Sequence, residues 1–242
     1  MITEIGNFLE EPEELFVVYN PFLEVIAKNQ KTMSILPRPN GILIAAACNN
    51  WGIGLNGELP WKLKRDLAYF ERVTKRVLVD KEEINNKDKS DNDKIRNAVI
   101  MGRLTWESIP KKYQPLKGRL NIIISNSMKN DDNSNKGGYL IYPSLEKAIQ
   151  DLEIDSQIFR IFIIGGSKIY EEAINSLSCK YILLTKIYKE FKCDRFFPQI
   201  DENVYKLVDH LELEKFVGEI VPQGKQLDGD IEYEFLMYKR IL

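Results

Sequence analysis

Read as a helix beginning just after Pro60, the stretch GELPWKLKRDLAYF (57–70) places Leu63, Leu67 and Phe70 on one apolar stripe, and Asp66 lies on the same stripe. One role for a carboxylate there is a surface ion pair with Lys62, four residues back, worth roughly 0.3–0.5 kcal/mol. The apolar stripe argues for a different role. Among such neighbours a carboxylate needs hydrogen-bond donors or it takes up a proton. A ligand with two parallel N–H donors, such as an aminopyrimidine ring, would satisfy it. The preceding GIGLNGELP carries Gly52, Gly54 and Gly57, a composition suited to a mobile loop that closes over a site.

Two glycine junctions form a second constellation. IFIIGGSKIYEEAI reads as strand, Gly165-Gly166, helix, and NAVIMGRLTWESI as strand, Gly102, helix. A helix start after a glycine turn offers unpaired N–H groups and the positive end of the dipole, so two such junctions suit the two halves of a dinucleotide. Glycine is also what any tight strand-to-helix turn requires, and both readings stand. Arg103 and Lys168 fall in the first turns of these helices, where the dipole disfavours a cation. A bound phosphate removes that penalty, and an extra monophosphate such as the 2'-phosphate of NADP would account for both residues. Extension of both side chains into water costs only a few tenths of a kcal/mol and is the plain alternative.

These residues need a scaffold. From Gly41 onward, short apolar runs of strand length (ILIAAAC, NAVIMG, LNIIIS, YLIYP, FRIFIIGG, YILLTKI) alternate with helical patterns at 62–74, 103–109, 144–152 and 167–175. The expected fold is α/β: a doubly wound, mostly parallel central sheet with helices on both faces. EYEFLMYKRIL is expected to be a late antiparallel strand following another near YKLVDHLELE. Residues 1–40 read as an N-terminal extension of the domain at 41–242. In the stretch 80–97, 11 of 18 residues are charged, the composition of a mobile surface insertion, and 128–138 reads similarly.

Composition narrows the function classes. The 242 residues are 44% hydrophobic, and 34 Lys and Arg against 36 Asp and Glu leave no basic excess to announce a nucleic-acid or membrane surface. Cys48, Cys179 and Cys193 form no C-x-x-C pair and are joined by one histidine, His210, so no metal site is expected and free thiols in a reducing compartment are. No apolar run nears the roughly 20 residues that span a bilayer, and the acidic N-terminus is unlike a targeting peptide, so the expected location is cytoplasmic. Trp51 and Trp106 read as packing residues, Cys48 as a small buried hydrophobe, and His210 as structural or exposed.

The motifs GIGLNGELPWKLKRDLAYF, MGRLTWESIP, PLKGRLNIIIS, IFIIGGSKIY and LLTKI, in that order, resemble those of dihydrofolate reductase over nearly all of 41–242. CDRFFPQI and the charged excursion at 80–97 resemble, more narrowly, the reductase half of protozoan bifunctional dihydrofolate reductase-thymidylate synthases. The resemblance implies a partner thymidylate synthase domain absent from this chain, or a monofunctional relative. It also implies NADPH as cofactor, dihydrofolate as substrate and antifolates as inhibitors, with hydride delivered to C6 and a proton to N5. By the same resemblance Asp66 is the acid that binds the pterin N3 and 2-amino group, Trp61 fixes an ordered water beside it, Thr185 bonds to it and Leu59 closes on the ring pair. Phe70, Ile109 and Leu116 would hold the aminobenzoyl group and Arg119 the glutamate carboxylate. Ile44 and Ile164 would offer carbonyls to the pterin. Ala46, Ile53, Gly102, Arg103, Thr105, Ser125, Gly165, Gly166, Ser167, Lys168 and Tyr170 would line the cofactor, with the Gly165–Gly166 bond cis.

The match has departures. Asn126 stands where many eukaryotic relatives place a basic residue beside the serine, so one partner of the 2'-phosphate is missing and Lys168 is the replacement on offer. Leu104 occupies another position that is often basic or polar. The acid is Asp rather than Glu, a difference of about 0.4 in reference pKa. A pteridine or flavin-precursor reductase of the same fold would share the glycine junctions without needing Asp66, Trp61 and Arg119 together. A cofactor-binding scaffold without turnover would need none of the acid set.

Overall fold

A computed structural model describes residues 41–78, 95–128 and 137–241. The expected N-terminal extension at 1–40 and most of the two expected insertions, at 80–97 and 128–138, lie outside them. Arg96 and Asn97, at the end of the stretch 80–97, already belong to a strand.

One sheet dominates. Its strands are β1 (Ile42–Cys48), β3 (Arg96–Gly102), β4 (Arg119–Ile124), β5 (Tyr139–Tyr142), β6 (Ile158–Ile163), β7 (Tyr181–Ile187), β9 (Tyr205–Leu207), β10 (Gln226–Asp228) and β11 (Ile231–Arg240). They run in the order β10-β11-β7-β1-β6-β3-β4-β5, with β9 on β11. The pairs from β7 through β5 are parallel, and β11 is antiparallel to β7. The doubly wound, mostly parallel architecture with an antiparallel C-terminal strand is therefore present. A second, two-stranded sheet pairs β2 (Gly52–Gly54) with β8 (Arg195–Phe196), a pairing that neither short segment announces by its own pattern.

The period of two along each strand divides the apolar side chains between two cores. Ile42, Ile44, Val99, Met101, Phe162, Leu183 and Ile187 face one layer; Leu43, Ala47, Ala98, Ile100, Ile161, Ile163, Ile182 and Leu184 face the other. Continuous apolar runs in sequence thus reflect strands covered on both sides. The first layer receives helix α1 (Lys64–Lys75), Trp106 of the short helix α2 (Arg103–Ser108) and helix α5 (His210–Val217). The second receives α3 (Leu145–Glu153) and α4 (Ser167–Asn175).

Two expectations need correction. Helix α1 starts at Lys64, and its buried face is Asp66, Tyr69, Val73 and Thr74, whereas Leu67 is 37% exposed. The face is turned toward Asp66 because Tyr69 packs on Phe235 of β11 at 4.1 Å between ring centroids, which orients the helix by a tertiary contact. The stretch YKLVDHLELE is a three-residue strand followed by a helix. The Asp209 side chain accepts from the Glu212 N–H, and Gly218 closes the helix in the left-handed region at φ 72, so cap chemistry overrides the alternating apolar pattern.

Candidate active site

Asp66 is 8% exposed, in the first turn of α1, and Thr185 of β7 donates to its Oδ1 at 2.6 Å. Thr185 pairs in register with Ala46 of β1, so the acid lies against the middle of the sheet. Among the described residues no ion pair joins Asp66 to Lys62, which precedes the helix and is exposed. Burial pushes the carboxyl up to about 6, and the Thr185 hydrogen bond opposes only part of that rise. Trp61 is buried against Phe191, edge to face at 5.4 Å, and its Nε1–H has no partner among the described residues.

A wall of apolar residues adjoins the acid. Phe70, Ile109, Leu116, Ile164 and Ala46 are partly buried against the core layer that contains Ile44 and Trp61. The loop carrying Ile109 and Leu116 is held by two side-chain amides: Gln114 Nε2 donates to the Trp106 and Ile109 carbonyls, and Asn121 both accepts from the Leu116 N–H (2.9 Å) and donates to its carbonyl (3.0 Å). Arg119, 7% exposed at the start of β4, donates to Thr74 Oγ1 at 2.8 Å and to the Lys117 carbonyl at 3.1 Å. Among the described residues it has no carboxylate within ion-pair distance. Burial lowers its pKa to about 10, so it stays charged at neutral pH.

The two glycine junctions meet. The Gly102 N–H donates to the Gly165 carbonyl at 2.8 Å, and the Gly165–Gly166 peptide is cis. Gly165 has φ 104, and a Cβ there would lie 2.8 Å from the Tyr170 ring; a Cβ on Gly166 would approach Thr105 Oγ1 to 3.2 Å. Tyr170 reaches across to donate to the Ile44 carbonyl at 2.7 Å, which ties α4 to the wall beside the acid. Arg103 neither stands free in water nor awaits a phosphate alone, because Glu107 pairs with it at 2.7 Å on the exposed face of α2. Lys168 is exposed. Ser125 Oγ accepts from the N–H groups of Ser127 and Met128, and Ser167 Oγ from that of Phe196.

The glycine-rich loop is folded over by β8. Asp194 Oδ2 accepts from the Asn56 N–H at 3.2 Å, the Asp194 N–H donates to the Gly54 carbonyl, and Phe197 N–H to that of Trp51. Trp51 has φ 62, unusual for a bulky residue, and stacks on Phe197 at 6.4 Å. Leu59 is 45% exposed at the end of this loop. Ile53 packs with Trp51 against the other core layer, so the structure does not bring it to the wall beside Asp66.

The family model described as dihydrofolate reductase matches residues 42–79 and 91–218. Curated proteins named dihydrofolate reductase are similar throughout. That of Heliothis virescens is 42% identical over 82% of this chain and 96% of its own length, that of Pneumocystis carinii 38% over 83% and 96%, and that of Bos taurus 37% over 81% and 95%. The chain belongs to the dihydrofolate reductase family.

Within this dihydrofolate reductase chain, Asp66, Thr185, Trp61, Ile44, Phe70, Ile109, Leu116, Ile164 and Ala46 collect on one side of the sheet. Gly102, Thr105, Gly165, Gly166 and Tyr170 collect where β3 and β6 end. The close approach there is set by the protein itself, since a Cβ at 165 or 166 would meet the Tyr170 ring or Thr105 Oγ1. Asp194, Gln114 and Asn121, which position the loops, are absent from the residues that the motifs single out. Asp194 lies 138 residues from Asn56 and carries no local signal of that contact, whereas a buried Asn within the strand RLNIII was a visible anomaly. Among the described residues no helix is long and apolar enough to cross a membrane, and no group of three or more His, Cys, Asp or Glu is placed to hold a metal.

Proposed function

We propose that the chain reduces 7,8-dihydrofolate to 5,6,7,8-tetrahydrofolate with NADPH as the hydride donor. The observation that carries this reading is Asp66: a buried carboxylate whose protein partner is a neutral hydroxyl and which no cation pairs among the described residues. A group so placed is stabilised when a ligand brings parallel N–H donors, as the pterin N3 and 2-amino group do. Bound NADPH supplies the hydride for C6.

The residues of the chain do the rest. Asp66 orients the pterin and promotes protonation of N5, with water as the immediate proton donor. The Trp61 Nε1–H, without a partner among the described residues, holds that water, and Thr185 fixes the carboxylate. The carbonyls of Ile44 and Ile164 meet the pterin edge, with Tyr170 holding the former in place. Phe70, Ile109 and Leu116 grip the aminobenzoyl ring. The buried Arg119, free of any carboxylate among the described residues, binds the α-carboxylate of the glutamate tail. Ala46, Ile53, Gly102, Thr105, Ser125, Gly165, Gly166, Ser167 and Tyr170 line the cofactor. Arg103 and Lys168 give its 2'-phosphate positive charge, with Arg103 shared with Glu107. Leu59 closes the loop over the reacting rings.

The deciding experiment follows the loss of NADPH absorbance on adding dihydrofolate, with Asp66→Asn beside the parent. Turnover by the parent and a fall of at least about tenfold (roughly 1.4 kcal/mol) in the variant are expected. NADH in place of NADPH should raise KM for the cofactor at least about tenfold. Equal use of both would sink the 2'-phosphate assignment, and NADPH binding without turnover would sink the reductase assignment.

A further inference from the structure

Beneath the glycine loop two thiols face each other. Cys48, at the end of β1, is buried, and its Sγ lies 4.0 Å from Sγ of the half-buried Cys193. The Cys48 Sγ is also within hydrogen-bond reach of Asn50 Oδ1 (2.9 Å) and the Gly52 carbonyl (3.3 Å). Gly52 makes the encounter possible: a Cβ on it would lie 2.3 Å from Cys193 Sγ and 3.0 Å from Cys48 Sγ. Cys193 immediately precedes Asp194, the residue that latches Asn56, and strand β8, which pairs with β2. The two cysteines therefore join the end of a central strand to the segment that holds the loop.

We propose that Cys48 and Cys193 are an oxidisable pair that, on reaction with a peroxide, closes into a disulfide and clasps the loop 52–59 shut. Cys193 is the more exposed of the two and reacts first. Its thiolate attacks one peroxide oxygen, the O–O bond breaks, and the other oxygen leaves as hydroxide and becomes water on taking up the thiol proton. The Cys48 thiolate then attacks the sulfenic sulfur, the S–S bond forms, the S–O bond breaks, and the hydroxide that leaves becomes a second water on taking up the Cys48 thiol proton. Two thiols have lost two electrons and two hydrogens, and the peroxide has accepted both. Burial, with the Cys48 thiol beside it, raises the Cys193 pKa, so the reaction speeds up as pH rises. Closing the gap from 4.0 Å to a bond of about 2.0 Å draws the 193–196 segment, and with it β2, onto the end of β1. Cys179 stays out of the reaction, being fully buried with its thiol pushed up to about 12.

The effect on turnover rests on the reductase reading, whereas the disulfide and the loop closure do not. The test treats the full chain with hydrogen peroxide, blocks remaining thiols and maps peptides. The expected product links 48 to 193 with Cys179 alkylated. Amide exchange across 52–59 should slow at least about threefold, and dihydrofolate turnover should fall by a similar factor. Dithiothreitol should restore both. C193S and, separately, C48S should form no link and keep their activity through the treatment at the level of the untreated variants. Sulfinic acid on Cys193 with Cys48 left free would overturn the proposal, and so would a 48–193 link that leaves exchange in the loop unchanged. Peptide mapping and amide exchange need no turnover, so they decide for or against the clasp even if the chain proves to act on another substrate.

Discussion

Asp66 is held at about 6 in the folded chain against 3.8 for the ordinary carboxyl. The folded state therefore binds this proton more tightly than the unfolded state. Stability from this group is highest below about pH 4, declines as pH rises through about 6 and does not return; the gap is worth about 3 kcal/mol. Asp66→Asn keeps an oxygen for the Thr185 hydroxyl and removes the ionisation. Urea unfolding should find the ligand-free variant about 2–3 kcal/mol more stable than the parent at pH 8, the difference vanishing toward pH 4. Equal stability at pH 8 would mean that the carboxyl titrates normally. In the reductase, single-turnover hydride transfer should slow as pH rises above about 6, tenfold per unit once the protonated acid is scarce, and Asp66→Asn should flatten that profile. Arg119→Gln removes the charged fork beside Phe70: KM for dihydrofolate should rise at least about tenfold with kcat little altered, and an unchanged KM would remove Arg119 from the site. The sequence exposed Asp66 as an anomaly, an acid on an apolar stripe, whereas Arg119 entered only through the family resemblance. Local pattern did not show that Thr185 and Thr74 are their partners, since those contacts span 119 and 45 residues.

Among elements, the loop and α5 depart furthest from what periodicity suggests. The loop 52–59 is held by its pairing with β8 and by Asp194. Asp194→Ala should leave the unfolding midpoint nearly unchanged while slowing hydride transfer several-fold, because the latch is exposed but sets the population of the closed loop. Stopped-flow single turnover would measure this, and an unaltered rate would dismiss the latch. Helix α5 depends on its ends. Asp209→Ala should cost about 1 kcal/mol in denaturant unfolding by removing the cap. Gly218→Ala should cost more, roughly 2 kcal/mol or above, since φ is 72 and a Cβ would lie 2.4 Å from a Leu78 methyl. The cap was legible as Asp-x-x-Glu before an apolar run and Gly after it. The alternating stretch before it reads as a strand, but its strand character ends after three residues.

Across the whole molecule, α1 is tied to the segment after α5 by Glu219, which is nearly buried and accepts from Arg72 at 3.0 Å and Arg76 at 2.8 Å. Arg76 also donates to the Gly218 carbonyl, and Asn97 donates to the carbonyls of Thr74 and Arg76. These bonds hold the C-terminal end of the helix that carries Asp66. Glu219→Gln should destabilise the fold by about 1–2 kcal/mol, less in concentrated salt, and should shift KM for dihydrofolate only slightly. A loss confined to turnover would mean that the tie serves the site rather than the fold. By itself the sequence determined the parallel α/β class, four of the five α-helices among the described residues to within a residue or two, and the residue types of the acid and glycine sites. All of these are written in local periodicity, in strand-length apolar runs and in residues that violate their local pattern. Tertiary structure alone decided which face of α1 is buried, the β2–β8 pairing that shapes the loop and the meeting of Cys48 with Cys193. The orientation of an amphipathic helix, and the pairing of two- and three-residue strands, depend on partners more than 100 residues away. No local pattern encodes such partners, because they come together only when the sheet forms.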